Sequence, residues 1–459
     1  MDSVQIETDK LITLGIPQIA TPQTAISATS KPSPLIYKNA IRTSLQASTV
    51  DSILATVFSI TTGGILLSNF LVELDASPMI FGMLSSIPML VNLIQPLGAY
   101  LSERTTSRFQ YSLLTFGISR LLWLILAIGI ISASWIGVTS QQLVTLTLLV
   151  VLFSHLLGGL GSASWLSWIA MLVPRRLRGR YFGFRNSAAS LTNLLCVPLA
   201  GLAVSHWYGG TLQGYGVVLL ISIFFGLVGL GCQYFKVDVN PQMPNLDFGK
   251  CLQTSETLPD LPSPPSFWKD SNFLKFLLYF SLWMLSVNLS APFFNFYMLE
   301  TLNLDVSLVT SYSSLQAGAN LLMLILWGKL ADKIGNRPIL LMLGILVAIT
   351  PVLWLGISGN YLDIWLWLPL LHIFTGGTWA AIDLCTNNMQ LGIVSLTNGS
   401  IYFAIAAAVG GVSGALGATI GGFLAQFAQF GGLLGLFALS SLMRLVALVA
   451  LIFVQEPQR

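Results

Sequence analysis

Long apolar runs alternate with short polar breaks along this chain, and the length of the runs sets the first expectation. A helix needs roughly 20 mostly apolar residues to cross a bilayer. Twelve runs qualify, starting near Leu45, Pro78, Phe109, Leu143, Tyr181 and Tyr215, then near Asn272, Val306, Pro338, Leu362, Asn398 and Gly432. The pattern predicts an all-α integral membrane protein with twelve transmembrane helices. Two polar stretches interrupt it. Residues 1–40 are rich in Ser, Thr and Pro and read as a disordered tail, because "LITLGIPQIA" is too short and proline-broken for a signal peptide. Residues 237–271 are proline-dense and read as an unstructured linker. The expected organisation is therefore the tail, a six-helix half over 41–236, the linker, and a second six-helix half over 272–456.

Charge supplies the orientation. The even-numbered connections carry Arg104 and Arg108, then Arg175, Arg176, Arg178 and Arg180, then Lys250 and Lys269, then Lys329, Lys333 and Arg337. The odd-numbered ones carry acids instead, among them Glu73, Asp75, Glu300, Asp305 and Asp363. Positive residues stay on the cytoplasmic side, so both termini are expected in the cytoplasm of a cell-membrane protein.

Composition agrees and excludes other classes. The chain has 459 residues, 54% hydrophobic and 8% charged, with a mean hydropathy of +0.77, whereas soluble domains are about a quarter charged. A net charge of +3 leaves no footprint for nucleic acid. Three scattered histidines argue against zinc, and four cysteines without CxxC spacing read as buried thiols. No GxxxxGK[ST] loop or catalytic triad is present, so neither direct ATP drive, an enzyme nor a cofactor is expected.

The two halves echo each other. His155, Gly158, Gly159 and Trp165 in the fourth run have counterparts in His372, Gly376, Gly377 and Trp379 in the tenth. Tyr181-Phe182-Gly183 is matched by Tyr402-Phe403-Ala404, and "GAYLSERTTSR" from Gly98 is matched by "GKLADKIGNRP" from Gly328. Several echoes in one order point to a duplicated six-helix unit, which is a transporter architecture.

"GKLADKIGNRP" resembles the signature loop of the major facilitator superfamily, at Gly328, Leu330, Ala331, Asp332, Gly335 and Arg337. "VPRRLRGRYFGFRN" and "GGTWAAIDLCTNN" are similar to the fourth-to-fifth connection and tenth helix of bacterial members. The resemblance spans roughly residues 41–456 and implies two pseudo-symmetric halves around a cavity lined by helices one, four, seven and ten. It also implies a latch joining the halves on the cytoplasmic side, with Gly328, Asp332, Gly335 and Arg337 in one copy and Gly98, Glu103 and Arg104 in the other. The first copy departs from the pattern, with Ser102 in the aspartate position. Arg178, Arg180 and Arg185 are read either as further gating residues or as contacts to anionic lipid head groups.

Polar residues inside a span are costly and mark function. On the tenth run His372, Trp379, Asp383, Asn387 and Gln390 share one helical face. Asn288 and Asn295 align on the seventh, Asp51 and Thr62 on the first, and His155 marks the fourth. Asp383 is the leading candidate for proton binding, with Asp51 second and the histidines as relays. Arg120 and Arg444 lie in helices that are peripheral in the family, so both are expected outside the substrate path, with Arg120 within reach of Asp51. "GGVSGALGATIGG", with Pro198 and Gly201 on the fifth run, resembles the glycine-rich element of family antiporters and leans toward export.

The expected activity is secondary transport of a small organic solute by a monomer among membrane lipids, with protons as the coupling partner. A non-transporting assembly or sensing factor and a lipid or amphiphile flippase are the alternatives.

Overall fold

The computed structural model describes residues 34–173, 178–238, 270–393, 399–427 and 431–456. The expected tail up to residue 33, the linker over 239–269, and Arg175 and Arg176 lie outside the described residues, as do the side chains of Glu103, Arg178, Arg180 and Asp332. Of the unit Met1–Asn39, residues 34–39 are described, as the opening turns of a helix. Ala40–Arg459 forms one compact unit.

The described residues are helical and contain no strand. The first span is split into α1 (Pro34–Thr61) and α2 (Gly64–Val72). Gly64 has φ of +60°, a left-handed conformation that glycine takes without strain, and the helix breaks there. The second span comprises α3 (Pro78–Val91), a 3-10 turn over Asn92–Ile94 and α4 (Gln95–Glu103). Pro96 has no N–H to return to the preceding turn, which interrupts the ladder at that point. α5 (Arg108–Ile136), α6 (Ser140–Leu172), α7 (Arg178–Ser205) and α8 (Thr211–Gly231) complete the first six spans.

The second set opens with α9 (Ser271–Phe296), which runs into a π turn over Tyr297–Thr301. It continues with α10 (Val306–Ile334), α11 (Asn336–Leu353), a π turn over Asp363–Trp367 leading into α12 (Leu368–Ile393), α13 (Gly399–Ala425) and α14 (Gly432–Ile452). Eleven spans among the described residues are long and apolar enough to cross a membrane. The remaining span, α10, has 29 residues, ample for a crossing at about 1.5 Å per residue. Its apolar character is diluted by Ser313, Gln316 and Asn320, which face a cavity.

Within each set short connections make consecutive spans antiparallel, so each set of six spans begins and ends on one face, here the terminal face; the opposite one is the distal face. Near the distal face both sets of helices share one apolar core, which joins Phe70, Phe81 and Tyr215 to Phe293, Phe296 and Phe437. Nearer the terminal face each set keeps its own core. One gathers Phe276, Trp283, Ile339 and Leu451, the other Trp168, Ile169 and Leu172.

The joint between the sets is built on small residues. A side chain at Gly82 on α3 would collide with the Ala418 carbonyl on α13, and one at Gly411 on α13 would collide with the Met89 carbonyl on α3. Backbones can approach that closely only where no Cβ intervenes. Ser86 then bonds across the joint to the Ala415 carbonyl at 2.9 Å and to Thr419 at 2.8 Å. Ser205 at the end of α7 donates to Asp305 at the start of α10 at 2.6 Å, and the rings of Phe81 and Phe296 meet at 4.6 Å. These bonds and ring contacts lie toward the distal face. The molecule is closed there.

Candidate functional site

A cavity of about 660 Å³ lies where α7 meets the second set of helices. α9 contributes Phe294 and Asn295, α10 contributes Ser313, Gln316 and Asn320, and α12 contributes His372, Thr375 and Trp379. The wall also includes Ser190 and Asn193 on α7, Trp354 just past α11 and Arg444 on α14. A second cavity of about 380 Å³ adjoins it, sharing Asn193, Leu194, Ser313 and Ala317. Its far wall is Ser59, Gly63 and Gly64, the break in the first span. Broken backbone at membrane depth is tolerated where it lines a cavity, because its unpaired N–H and C=O groups can then meet water or a solute.

Local packing holds the wall in place. A side chain at Gly376 would strike the Gln316 carbonyl, so this glycine lets α12 press against α10. Trp327 on α10 ties the same pair together by donating its indole N–H to the Gly377 carbonyl at 2.7 Å. His372 is buried, donates from Nδ1 to the Leu368 carbonyl at 2.7 Å, and has the Tyr312 ring at 5.2 Å and the Trp354 ring at 5.9 Å. Trp379 is half-buried beside Trp283, their rings 6.4 Å apart.

Of the residues singled out from sequence, Asn295, His372 and Trp379 come together in the larger cavity, and Thr62 sits at the helix break beside the smaller one. Asp383 and Asn387 continue the Trp379 face of α12 toward the terminal face and are exposed. Asn288 is turned to its own helix, donating to the Met284 carbonyl at 2.8 Å, and stands against Gly414 of α13. His155 is half-buried on α6 and belongs to neither cavity wall. Arg444 departs from its peripheral expectation. Its guanidinium lies between α9 and α11, bonds to both, and lines the cavity.

Asp51 is buried near the terminal face, and its main partner is one the sequence did not disclose. Lys236, just past α8, places Nζ 3.0 Å from Oδ2, while Arg120 stands 4.0 Å from Oδ1. Gln233 donates to the same carboxylate at 3.4 Å. Burial pushes the Lys236 ammonium below its ordinary value, and the charge and hydrogen bond of Asp51 partly offset this. Arg185 lies over the Trp165 ring at 4.5 Å.

The signature loop is engaged within its own half. Gly335 takes φ of +91° between α10 and α11, and the N–H groups of Asn336 and Arg337 then converge on the Glu456 carboxylate at 2.8 and 3.0 Å. Arg337 also donates to the Ile452 carbonyl. An anion at a helix N-terminus satisfies unpaired N–H groups and the helix dipole together. In the first copy Gly98 lets α4 meet the Leu160 carbonyl of α6, and Ser102, in the aspartate position, donates to Ser164 at 2.6 Å. Arg104 turns back over the Tyr100 ring at 4.4 Å. Gly328 stands near Leu384 on α12.

A family model described as the Major Facilitator Superfamily matches residues 52–391 and 273–459. The chain belongs to the major facilitator superfamily. No curated protein matches its sequence. Among solved structures, the nucleoside transporter NupG superposes with a TM-score of 0.65 at 13% identity, covering 90% of this chain and 99% of that one. A bacterial homologue of the iron transporter ferroportin, in an inward-facing state, gives 0.64 at 13% identity, covering 92% and 99%. The xylose transporter XylE from E. coli, in a partially occluded inward-open conformation, gives 0.63 at 15% identity, covering 91% and 98%. Identities this low establish the shared fold of this superfamily member and leave its solute to be argued from the cavity.

Proposed function

We propose that this superfamily member is a secondary transporter that carries a small organic solute by alternating access, and that it is held here in its inward-open state. One observation carries the reading. The cavity lies between the two sets of helices, sealed on the distal side by a shared core and by Ser205–Asp305, with separate cores on the terminal side. The terminal face holds the Lys and Arg connections, which supports reading it as the cytoplasmic one, with the cell membrane as the proposed location. Rocking about the α3–α13 and α7–α10 joints would open the distal side in turn.

Proton coupling falls to Asp383. It is an exposed carboxylate one turn from Trp379, on the side of it nearer the terminal face. Export is the direction favoured by the glycine-rich α13. The test begins with a thermal-shift screen of purified protein, in which a solute at a hundred times its Kd stabilises by about 2.7 kcal/mol. The solute found is loaded into proteoliposomes under an imposed pH gradient. Asp383→Asn should still exchange solute but lose accumulation driven by the gradient. Accumulation that survives in Asp383→Asn overturns the proton assignment, and solute that binds but never crosses overturns transport.

A further inference from the structure

We propose that the larger cavity takes an organic anion whose acidic group is drawn to Arg444. The inference rests on the transporter reading and adds the class of its solute. Arg444 stands in the cavity wall, 1% exposed, in the middle of a membrane span. Its Nη1 donates to the Val347 carbonyl at 2.9 Å, and its Nη2 donates to Ser290 Oγ at 2.9 Å and to the Val287 carbonyl at 3.4 Å. Nε is buried without a hydrogen-bond partner. Every one of these partners is neutral.

The contrast with Arg120 is the informative part. Both arginines are buried, but Arg120 has Asp51 beside it, and the ion pairs found among the described residues both centre on Asp51. Neither cavity wall contains an Asp or a Glu. Carbonyls and hydroxyls solvate a guanidinium, but they do not cancel its charge. Of the basic side chains a guanidinium gives up its proton least readily, so the charge is present at neutral pH. A staple across α9, α11 and α14 needs only hydrogen bonds, which a neutral amide can supply. A charge at a cavity wall is costly to maintain and is best matched by an anion that enters the cavity.

The rest of the wall describes the body of that anion. Phe294, Trp354 and Trp379 present apolar ring surface, and Asn295, Gln316 and Asn320 present amides that both donate and accept. About 660 Å³ is the size of site that encloses a metabolite or drug-sized molecule. The solute class is an organic acid, carrying a carboxylate or a phosphate on a partly apolar body with hydrogen-bonding groups.

The test reads the field in the cavity without knowing the solute. Ser313→Cys and Thr375→Cys are placed singly in the full-length chain with its native cysteines replaced. Each is treated with an anionic (sulfonatoethyl) and a cationic (trimethylammonioethyl) methanethiosulfonate. The ratio of anionic to cationic rates, divided by the same ratio for a small thiol in free solution, should exceed unity with Arg444 present. Arg444→Gln should lower it about tenfold or more, and Arg444→Lys should hold it within about threefold, as expected for a unit charge acting in a low-dielectric cleft. A normalised ratio below unity in the Arg444 protein overturns the proposal, even if Arg444→Gln fails to fold. So does a ratio that Arg444→Gln leaves unchanged in a folded protein. None of these rates depends on transport, so an anion-selective cavity in a chain that moves nothing would count against the transporter reading alone.

Discussion

Asp238 caps the start of α5 as Glu456 caps the start of α11. Asp238 accepts from the Phe109 N–H at 3.0 Å and from Ser107 Oγ at 2.5 Å, and Glu456 accepts from the Asn336 and Arg337 N–H groups. The residues just before these acids are held alike. Val237 N–H donates to Ser44 on α1 at 3.0 Å, and Gln455 N–H donates to Asn272 on α9 at 2.8 Å. In each half the strand of chain leaving the sixth helix is thus pinned to the first helix and caps the third. The duplication is written in these polar contacts as well as in the packing.

Both caps should therefore contribute to stability separately. Glu456→Ala and Asp238→Ala are each expected to cost about 0.5–2 kcal/mol, the range for a lost helix cap with its dipole interaction. Because they sit in different halves, the double variant should be additive to within about 0.5 kcal/mol. Unfolding of the purified variants in detergent measures all three.

Asp51 presents a larger effect. It is the counter-charge for Lys236 and Arg120, all three buried, so Asp51→Asn leaves cations without compensation. Breaking a buried pair from one side costs about 3–5 kcal/mol. Asp51→Asn with Lys236→Met removes one of the stranded charges and should recover a large part of the loss. The same unfolding assay should show the double variant as the more stable of the two.

Ser205–Asp305 is a weaker closure with a defined pH sense. Burial pushes the Asp305 carboxyl up, but its hydrogen bonds from Ser205 and from Ser307 outweigh this and hold it below the usual carboxylate value. Its contribution is present above that usual value and is lost as the pH falls through the lowered folded one. Asp305 is exposed, so the contribution is well under about 1 kcal/mol. Asp305→Asn should raise the distal-open population by less than about fivefold at neutral pH and have little effect once the carboxyl is protonated. Fluorescence quenching between labels on the distal ends of α7 and α10 reads this population.

Gly82 tests the joint by sterics. A leucine there meets the Ala418 carbonyl and Gly422 of α13 and cannot be seated while the distal side is closed. Overpacking of this kind costs about 1–3 kcal/mol. Gly82→Leu should therefore shift the same labels toward the distal-open state, by more than Asp305→Asn does.

Much of this was legible in the sequence, for physical reasons. Spans must be long and apolar, so twelve were countable, and Lys and Arg sort by face. Helical phase put His372 and Trp379 on one side of α12, where the cavity lies. Arg120 and Asp51 were paired by depth alone. What escaped depends on contacts that periodicity does not encode. Glu456 bonds a loop about 120 residues earlier in the chain, and Lys236 stood at the edge of a presumed linker. Thr61-Thr62-Gly63-Gly64 was visible, but the apolar runs on either side read as one helix. Arg444 was set aside because its helix is peripheral, which describes the axis of α14 and says nothing of how far a guanidinium reaches.

The central claim is that one cavity is reached from the two faces in turn, and side-specific labelling of Ser313→Cys tests it most directly. Membrane-impermeant reagent is applied to the cytoplasmic or the opposite face of oriented membranes, in chains with and without a Ser205→Cys/Asp305→Cys cross-link. The account predicts labelling from both faces in the free chain. With the cross-link in place, labelling from the distal face should vanish, cytoplasmic labelling should persist, and a reductant should restore both. Labelling from one face only, indifferent to the cross-link, would contradict it.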